Sequence, residues 1–242
     1  MPPDAMPDLS AFSPLDFIGL VFFVCAWLIY GYAVQSRKDH RSLSRIMHGQ
    51  RRIWAEQLIA RDNRVVDTTI NASLQNGTAF FASTSLIALG SVLTLSRSGD
   101  DVLSLFGSLP FGVATTRATW ELKVAGLAIV FVYAFFKFSW AYRLFNYGAI
   151  LIGAVPPKGS GVDYESMQRA AHRAAAMNIA AGNHFDRGQR AFFFALAYLG
   201  WFVSASVLIV STAACVLVMW RRQFSSEIRA ALLADEEPHD GR

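Results

Sequence analysis

The residues that could do chemistry in this chain are polar groups set inside or beside long apolar runs. Asp67, Asn71, Gln75, Thr78, Ala82 and Ser85 recur at spacings of three or four, which puts them along one face of a helix. Hydrocarbon offers such groups no hydrogen bonds, so the stripe must face other helices or a wet cavity. Two readings stay open: ordinary glue between membrane helices, at about 0.6 kcal/mol per bond on average, or the wall of a solute or ion path.

Two lysines raise the same question. Lys123 and Lys137 are fourteen residues apart, near one face of a single helix. A lysine at mid-depth costs about 2.5 to 3.5 kcal/mol. Lys123, beside Trp120 and Glu121, is expected to snorkel to an interface. Lys137 lies between Phe136 and Phe138 with Trp140 a turn on, and needs an acidic partner; Asp67 and Asp186 are the candidates. Asp186 sits in the densest polar run, Asn183 to Arg190. It is expected to cap the following helix at its N-terminus, with Arg187 and Arg190 meeting lipid phosphate, Asp67 or an anion.

Catalytic and metal-binding patterns are missing from the sequence. It has no GxSxG, HExxH, Walker A, GxGxxG or CxxC motif, and His40, His48, His172, His184 and His239 show no ligand spacing. His184 and Asp186 are two apart and do not face each other on a helix. Neither an enzyme nor a resident cofactor or metal is expected. Cys25 and Cys215 both lie in apolar runs and read as small buried apolar residues without a disulfide.

The elements that hold these groups are helices long enough for a bilayer. Of 242 residues 53% are hydrophobic and only 17% charged, against about a quarter charged in soluble chains. A span needs about 20 mostly apolar residues. Four segments qualify: 17–34, 69–95, 122–143 and 191–220. The third continues through Arg143 toward Pro156, as one projecting helix or with a bend near Gly148. The expected fold is all-α and multi-pass, a single transmembrane domain over residues 16–222 between an N-terminal tail, 1–15, and a polar C-terminal tail, 223–242.

Basic residues set the orientation. Eight Lys or Arg lie between Arg37 and Arg64, and six between Arg143 and Arg190, so both loops are expected in the cytoplasm. The N-terminus, without Lys or Arg before the first span, is expected outside. Counting four crossings puts the C-terminus outside too, against the pull of Arg221 and Arg222. In the first loop Leu43, Ile46, Met47, Gln50, Ile53, Trp54, Gln57 and Leu58 follow helical spacing, with Arg45, Arg51 and Arg52 on other faces. In the second, an alanine-rich helix over 164–181 is expected to end at Gly182-Asn183. The net charge of +4 is spread over these loops and builds no nucleic-acid-binding domain. The expected partners are membrane lipid and a membrane protein or a second copy of the chain.

Three stretches, Arg64 to Ser85, Lys137 to Tyr147 and Asn183 to Phe194, resemble the membrane family called domain of unknown function 599, over about Asp16 to Arg222. The resemblance implies a topology and no mechanism. It points to Asn71, Gln75, Asn76, Lys137, Trp140, Arg143, Asn146, Asn183, Asp186, Arg187 and Arg190.

Overall fold

The computed structural model describes residues 12–36, 42–97 and 116–224. Among them every regular element is helical: α1 (Pro14–Ser36), α2 (Leu43–Gln57), α3 (Val65–Arg97), α4 (Arg117–Gly153), α5 (Tyr164–Tyr198), the single turn α6 (Gly200–Val203) and α7 (Ala205–Phe224). Four of these, α1, α3, α4 and α7, are long and apolar enough to cross a membrane.

Helix starts follow local sequence. Ser13-Pro14-Leu15-Asp16 forms a capping box: the Asp16 N–H donates to Ser13 Oγ (3.3 Å), the Ser13 N–H donates to Asp16 Oδ2 (3.1 Å), and proline takes the first helical position. Asn63, Thr116, Asp163 and Ser204 each accept a backbone N–H at the start of α3, α4, α5 and α7. Between α4 and α5 the chain turns through Gly159 and Gly161, both at positive φ (88° and 79°), where only glycine is unstrained.

The chain divides into two compact units. The first holds α1, α3 from Ser83, α4 to Phe135, α5 from Gly188, α6 and most of α7. Its interior is aromatic. Phe23 of α1 packs edge-on to Phe194 and Tyr198 of α5 (5.5 and 5.3 Å between centroids), and Phe131 of α4 meets Phe192. Here α7 folds back along α5, with Ser211 Oγ donating to the Ala197 carbonyl (2.7 Å); the reversal is tight, and a side chain at Gly200 would meet Ser211 Oγ and the Val207 carbonyl. Outward faces are apolar: Leu28 is 67% exposed, Ile87 71% and Val210 68%. Water would leave that surface sticky, whereas hydrocarbon solvates it.

The second unit holds α2, α3 to Ala82, α4 from Phe136, α5 to Arg187 and the end of α7. Its core joins Leu58 and Ile59 after α2 with Ile152 and Val155 at the end of α4 and a small-residue face of α5, Ala171, Ala174 and Ala175. Arg64 bridges the pieces, donating to the carbonyls of Ile152 (3.0 Å) and Leu58 (3.2 Å). The first of these is an orphan carbonyl of the last turn of α4, where a cation is favoured.

Two expectations about these elements need correction, on the alanine-rich helix and on the cysteines. The alanine-rich helix does not end at Gly182-Asn183 but runs on to Tyr198, so the apolar run 191–220 is two helices joined by a reversal. The third apolar segment is, as expected, one helix, continuous from Arg117 to Gly153. Cys25 is exposed and only Cys215 is partly covered; both are free. At about 1.5 Å per residue α3, α4 and α5 are roughly 50 to 55 Å long, well beyond the hydrocarbon thickness of about 30 Å.

Candidate functional site

The second unit gathers most of the polar residues singled out by sequence. Asp67, in the first turn of α3, is fully buried. One carboxylate oxygen, Oδ1, takes both Trp54 Nε1 of α2 (2.6 Å) and Arg61 Nη1 (2.5 Å); the other, Oδ2, has no hydrogen-bond partner. Asp67 is therefore engaged by the α2–α3 connection rather than by Lys137.

One turn on, Asn71 is buried against α4 and α5. Its Nδ2 donates to the Phe145 carbonyl (3.2 Å), and its Oδ1 stands 3.5 Å from Asn178 Nδ2. Gln75 Nε2 donates to Asn146 Oδ1 of α4 (2.8 Å). Thr78 turns its hydroxyl back to the Leu74 carbonyl within α3 (2.7 Å). Residues 67, 71 and 75 thus face inward as their spacing requires, while Asn76, off the stripe, is exposed. Asn178, which the sequence reading did not single out, is buried with its Oδ1 unpartnered. Its alanine-rich surroundings were the only signal, since an asparagine on a small-residue helix face is placed to cross-link helices.

A second polar group surrounds Asp186. It is no helix cap, because α5 is continuous through it. Instead Ser44 Oγ of α2 donates to Asp186 Oδ2 (3.3 Å), and Gln223 Nε2 of α7 donates to Ser44 Oγ (3.0 Å). Arg51 reaches the Asn178 carbonyl (3.5 Å) and lies where a side chain on Gly182 would stand. Gly182, expected to stop the helix, makes room for a guanidinium. Burial lowers the Arg51 pKa against the opposing attraction of Asp186. Burial, then the charge of Arg51, also holds His48 below its ordinary value; Asp186 and a hydrogen bond with Asn183 work the other way.

Beside Lys137 lies the imidazole of His184. Burial, then Lys137 and Arg187, holds His184 below its usual pKa, and Trp140 packs edge-on to that imidazole (6.4 Å). Arg143 is exposed, donates to Tyr147 Oη (2.8 Å) and lies 5.8 Å from the Trp140 ring, a cation–aromatic strip on the outside of α4. Arg187 and Arg190 are half-buried on α5. Among the described residues no three His, Cys, Asp or Glu side chains converge to hold a metal ion.

The first unit has a polar group that sequence reasoning missed. Lys123 is 6% exposed rather than snorkelling; its Nζ donates to the Trp201 carbonyl (2.9 Å) and lies 5.3 Å from that indole ring. Trp201 in turn donates Nε1 to Asp16 Oδ1 (2.7 Å). The three residues come from α4, α6 and α1, so no local spacing could have joined them.

No curated protein and no solved structure matches the chain. The family model described as "Protein of unknown function, DUF599" matches residues 18–228, nearly the whole length. That match covers both polar groups of the second unit, α1 from Ile18 and the other three helices suited to a bilayer, and the chain belongs to the DUF599 family.

Proposed function

We propose that the protein is a multi-pass component of the cytoplasmic membrane that works as an accessory or scaffold, with no catalytic centre, and whose partners are bilayer lipid and another membrane protein or a second copy. One observation carries this reading: the two amides of the α3 stripe are spent on another helix, Asn71 on the Phe145 carbonyl and Gln75 on Asn146 of α4. Groups already bonded across helix contacts are packing elements. A small transporter or channel subunit is the second reading, favoured by two buried oxygens without partners, Asp67 Oδ2 and Asn178 Oδ1, where water or a cation could stand.

The same reading includes a topology. The end of α5 packs on α1 and α4 and reverses into α7, which supports a further crossing made by the end of α5 with α6, roughly residues 188–203, whose polar start at Gln189 and Arg190 keeps it from standing out in hydropathy as a separate span. The N-terminus then lies outside and the C-terminus inside, with Gln223 beside α2, as Arg221 and Arg222 favour. The expectation that both termini lie outside came from counting one helix where there are two.

The experiment that separates glue from path is a mutant cycle on Gln75 and Asn146, combined with solute flux in proteoliposomes. Gln75→Leu is expected to lower thermal stability in detergent, Asn146→Leu to add little once Gln75 is gone, and flux to stay at the level of empty vesicles. Unchanged stability together with an altered, saturable flux would sink the scaffold reading.

A further inference from the structure

Within the first unit α1 and α4 border an open-sided cavity of about 590 Å³, with Tyr198 and Trp201 also in its wall. That size falls in the range of small-molecule sites, about 300 to 1,000 Å³. The wall is aliphatic and aromatic, with Leu20 and Trp27 from α1 and Ile129 and Tyr133 from α4. It is also shaped on purpose: the Tyr198 hydroxyl occupies the space that a side chain at position 126 would need, so Gly126 lets the tyrosine lie across α4.

Asp16 is the one charged residue in the lining. It stands in the first turn of α1, at the end of a span, where headgroups meet hydrocarbon. Its Oδ2 is bound by Ser13 through Oγ (2.7 Å) and N (3.1 Å), and its Oδ1 takes Trp201 Nε1. A carboxylate offers about four acceptor positions, so these three bonds leave room for one more donor. Lys123 attracts Asp16 from inside the unit and offsets part of its charge, but it is buried, makes its hydrogen bond to the Trp201 carbonyl and stays outside the lining, so Asp16 is the charge that a molecule in the cavity touches. A molecule in the cavity therefore meets apolar walls along its body and negative charge at one end. Phe12 and Trp201 add aromatic surface beside the carboxylate, a setting that favours an ammonium.

We propose that this cavity binds an amine-headed amphiphile drawn from the bilayer, its chain along α1 and α4 and its ammonium at Asp16. The proposal rests on the reading that the first unit lies in the membrane. Charge complementarity selects the headgroup, and the apolar wall selects the tail over water or a polar peptide.

The test uses the full-length protein in mild detergent and three probes of equal chain length: a long-chain alkylamine, the alcohol and the carboxylate. Binding is read by titration calorimetry. The amine is expected to bind about tenfold more tightly than the carboxylate, a difference of about 1.4 kcal/mol. Asp16→Asn, which keeps an acceptor for Trp201, should bring the two probes to similar affinity, whereas Val24→Trp or Ile129→Trp, each filling the cavity from an exposed wall position, should weaken all three. Equal or tighter binding of the carboxylate, a preference that survives Asp16→Asn, or amine binding indifferent to both filling variants overturns the proposal. So does the absence of binding by any probe. Resistance of the protein to alkaline extraction from membranes judges the membrane reading by itself, so the two failures stay distinguishable.

Discussion

Replacing Asp67 by asparagine tests how the buried polar face of α3 is held. The carboxylate is fully buried and takes two donors on one oxygen, Trp54 Nε1 and Arg61 Nη1. Hydrogen bonds to a charged group contribute about 1.5 to 3 kcal/mol each, but the Arg61 side chain is 41% exposed, so solvent screens its share and the lower end applies. An asparagine can still accept from Trp54. It loses the charge, however, and sets an NH2 group where Asp67 Oδ2 now has no partner, an unsatisfied donor that costs a further ~1 to 3 kcal/mol. The sum is about 3 kcal/mol, or a fall in Tm of roughly 6 to 12 °C at this chain length. The assay is thermal unfolding in detergent of Asp67→Asn, Arg61→Ala and the double variant. Arg61→Ala should cost about 1 kcal/mol alone and nearly nothing in the Asp67→Asn background. Strict additivity, or a parental Tm for Asp67→Asn, would refute the reasoning, because the pair would then contribute no charge-dependent stability.

Two further outcomes follow from the same geometry. Reporters fused at the N-terminus and within 98–115 should read as outside, while one inserted at Ser160 and one at the C-terminus should read as inside; a C-terminal reporter outside would remove the crossing assigned to the end of α5. His48 has a folded pKa held below its ordinary 6.5, by burial first and then by Arg51 and Arg45, against Asp186 and Asn183. The unfolded chain takes up the proton first, so stability should be full above 6.5 and decline as pH falls toward the folded value. His48→Gln should flatten the Tm profile between about pH 7 and pH 5, and an unaltered slope would show that His48 does not contribute.

Much of the architecture was legible because bilayer thickness and helical period act locally. The inward face of Asp67, Asn71 and Gln75 follows from spacing alone. What failed to read out was long-range. Gly182-Asn183 looks like a helix stop, yet the glycine is there because Arg51, 131 positions earlier in the chain, needs its space. Asp186 has the composition of an N-cap, but its partner is Ser44 on another helix. Arg51 was set off the apolar face of α2 together with Arg45 and Arg52, yet it is half-buried, while Ile53 and Met47, assigned to that face, are exposed (52% and 41%). Lys123 looked interfacial because Trp120 and Glu121 are its neighbours in sequence; the carbonyl it serves is at Trp201, 78 residues away.

The reversal between α5 and α7 also constrains how the protein is made. Only thirteen residues, Ala191 to Val203, separate Arg190 from Ser204, too few apolar positions for a translocating channel to release this piece into lipid by itself. The 20-residue α7 is apolar enough, and Ser211 ties it back to Ala197. On the proposed topology the end of α5 would therefore enter lipid together with α7, as a hairpin. Gln223 of α7 reaches Ser44, which in turn reaches Asp186, so the polar group around Ser44 is complete only once this hairpin is in place.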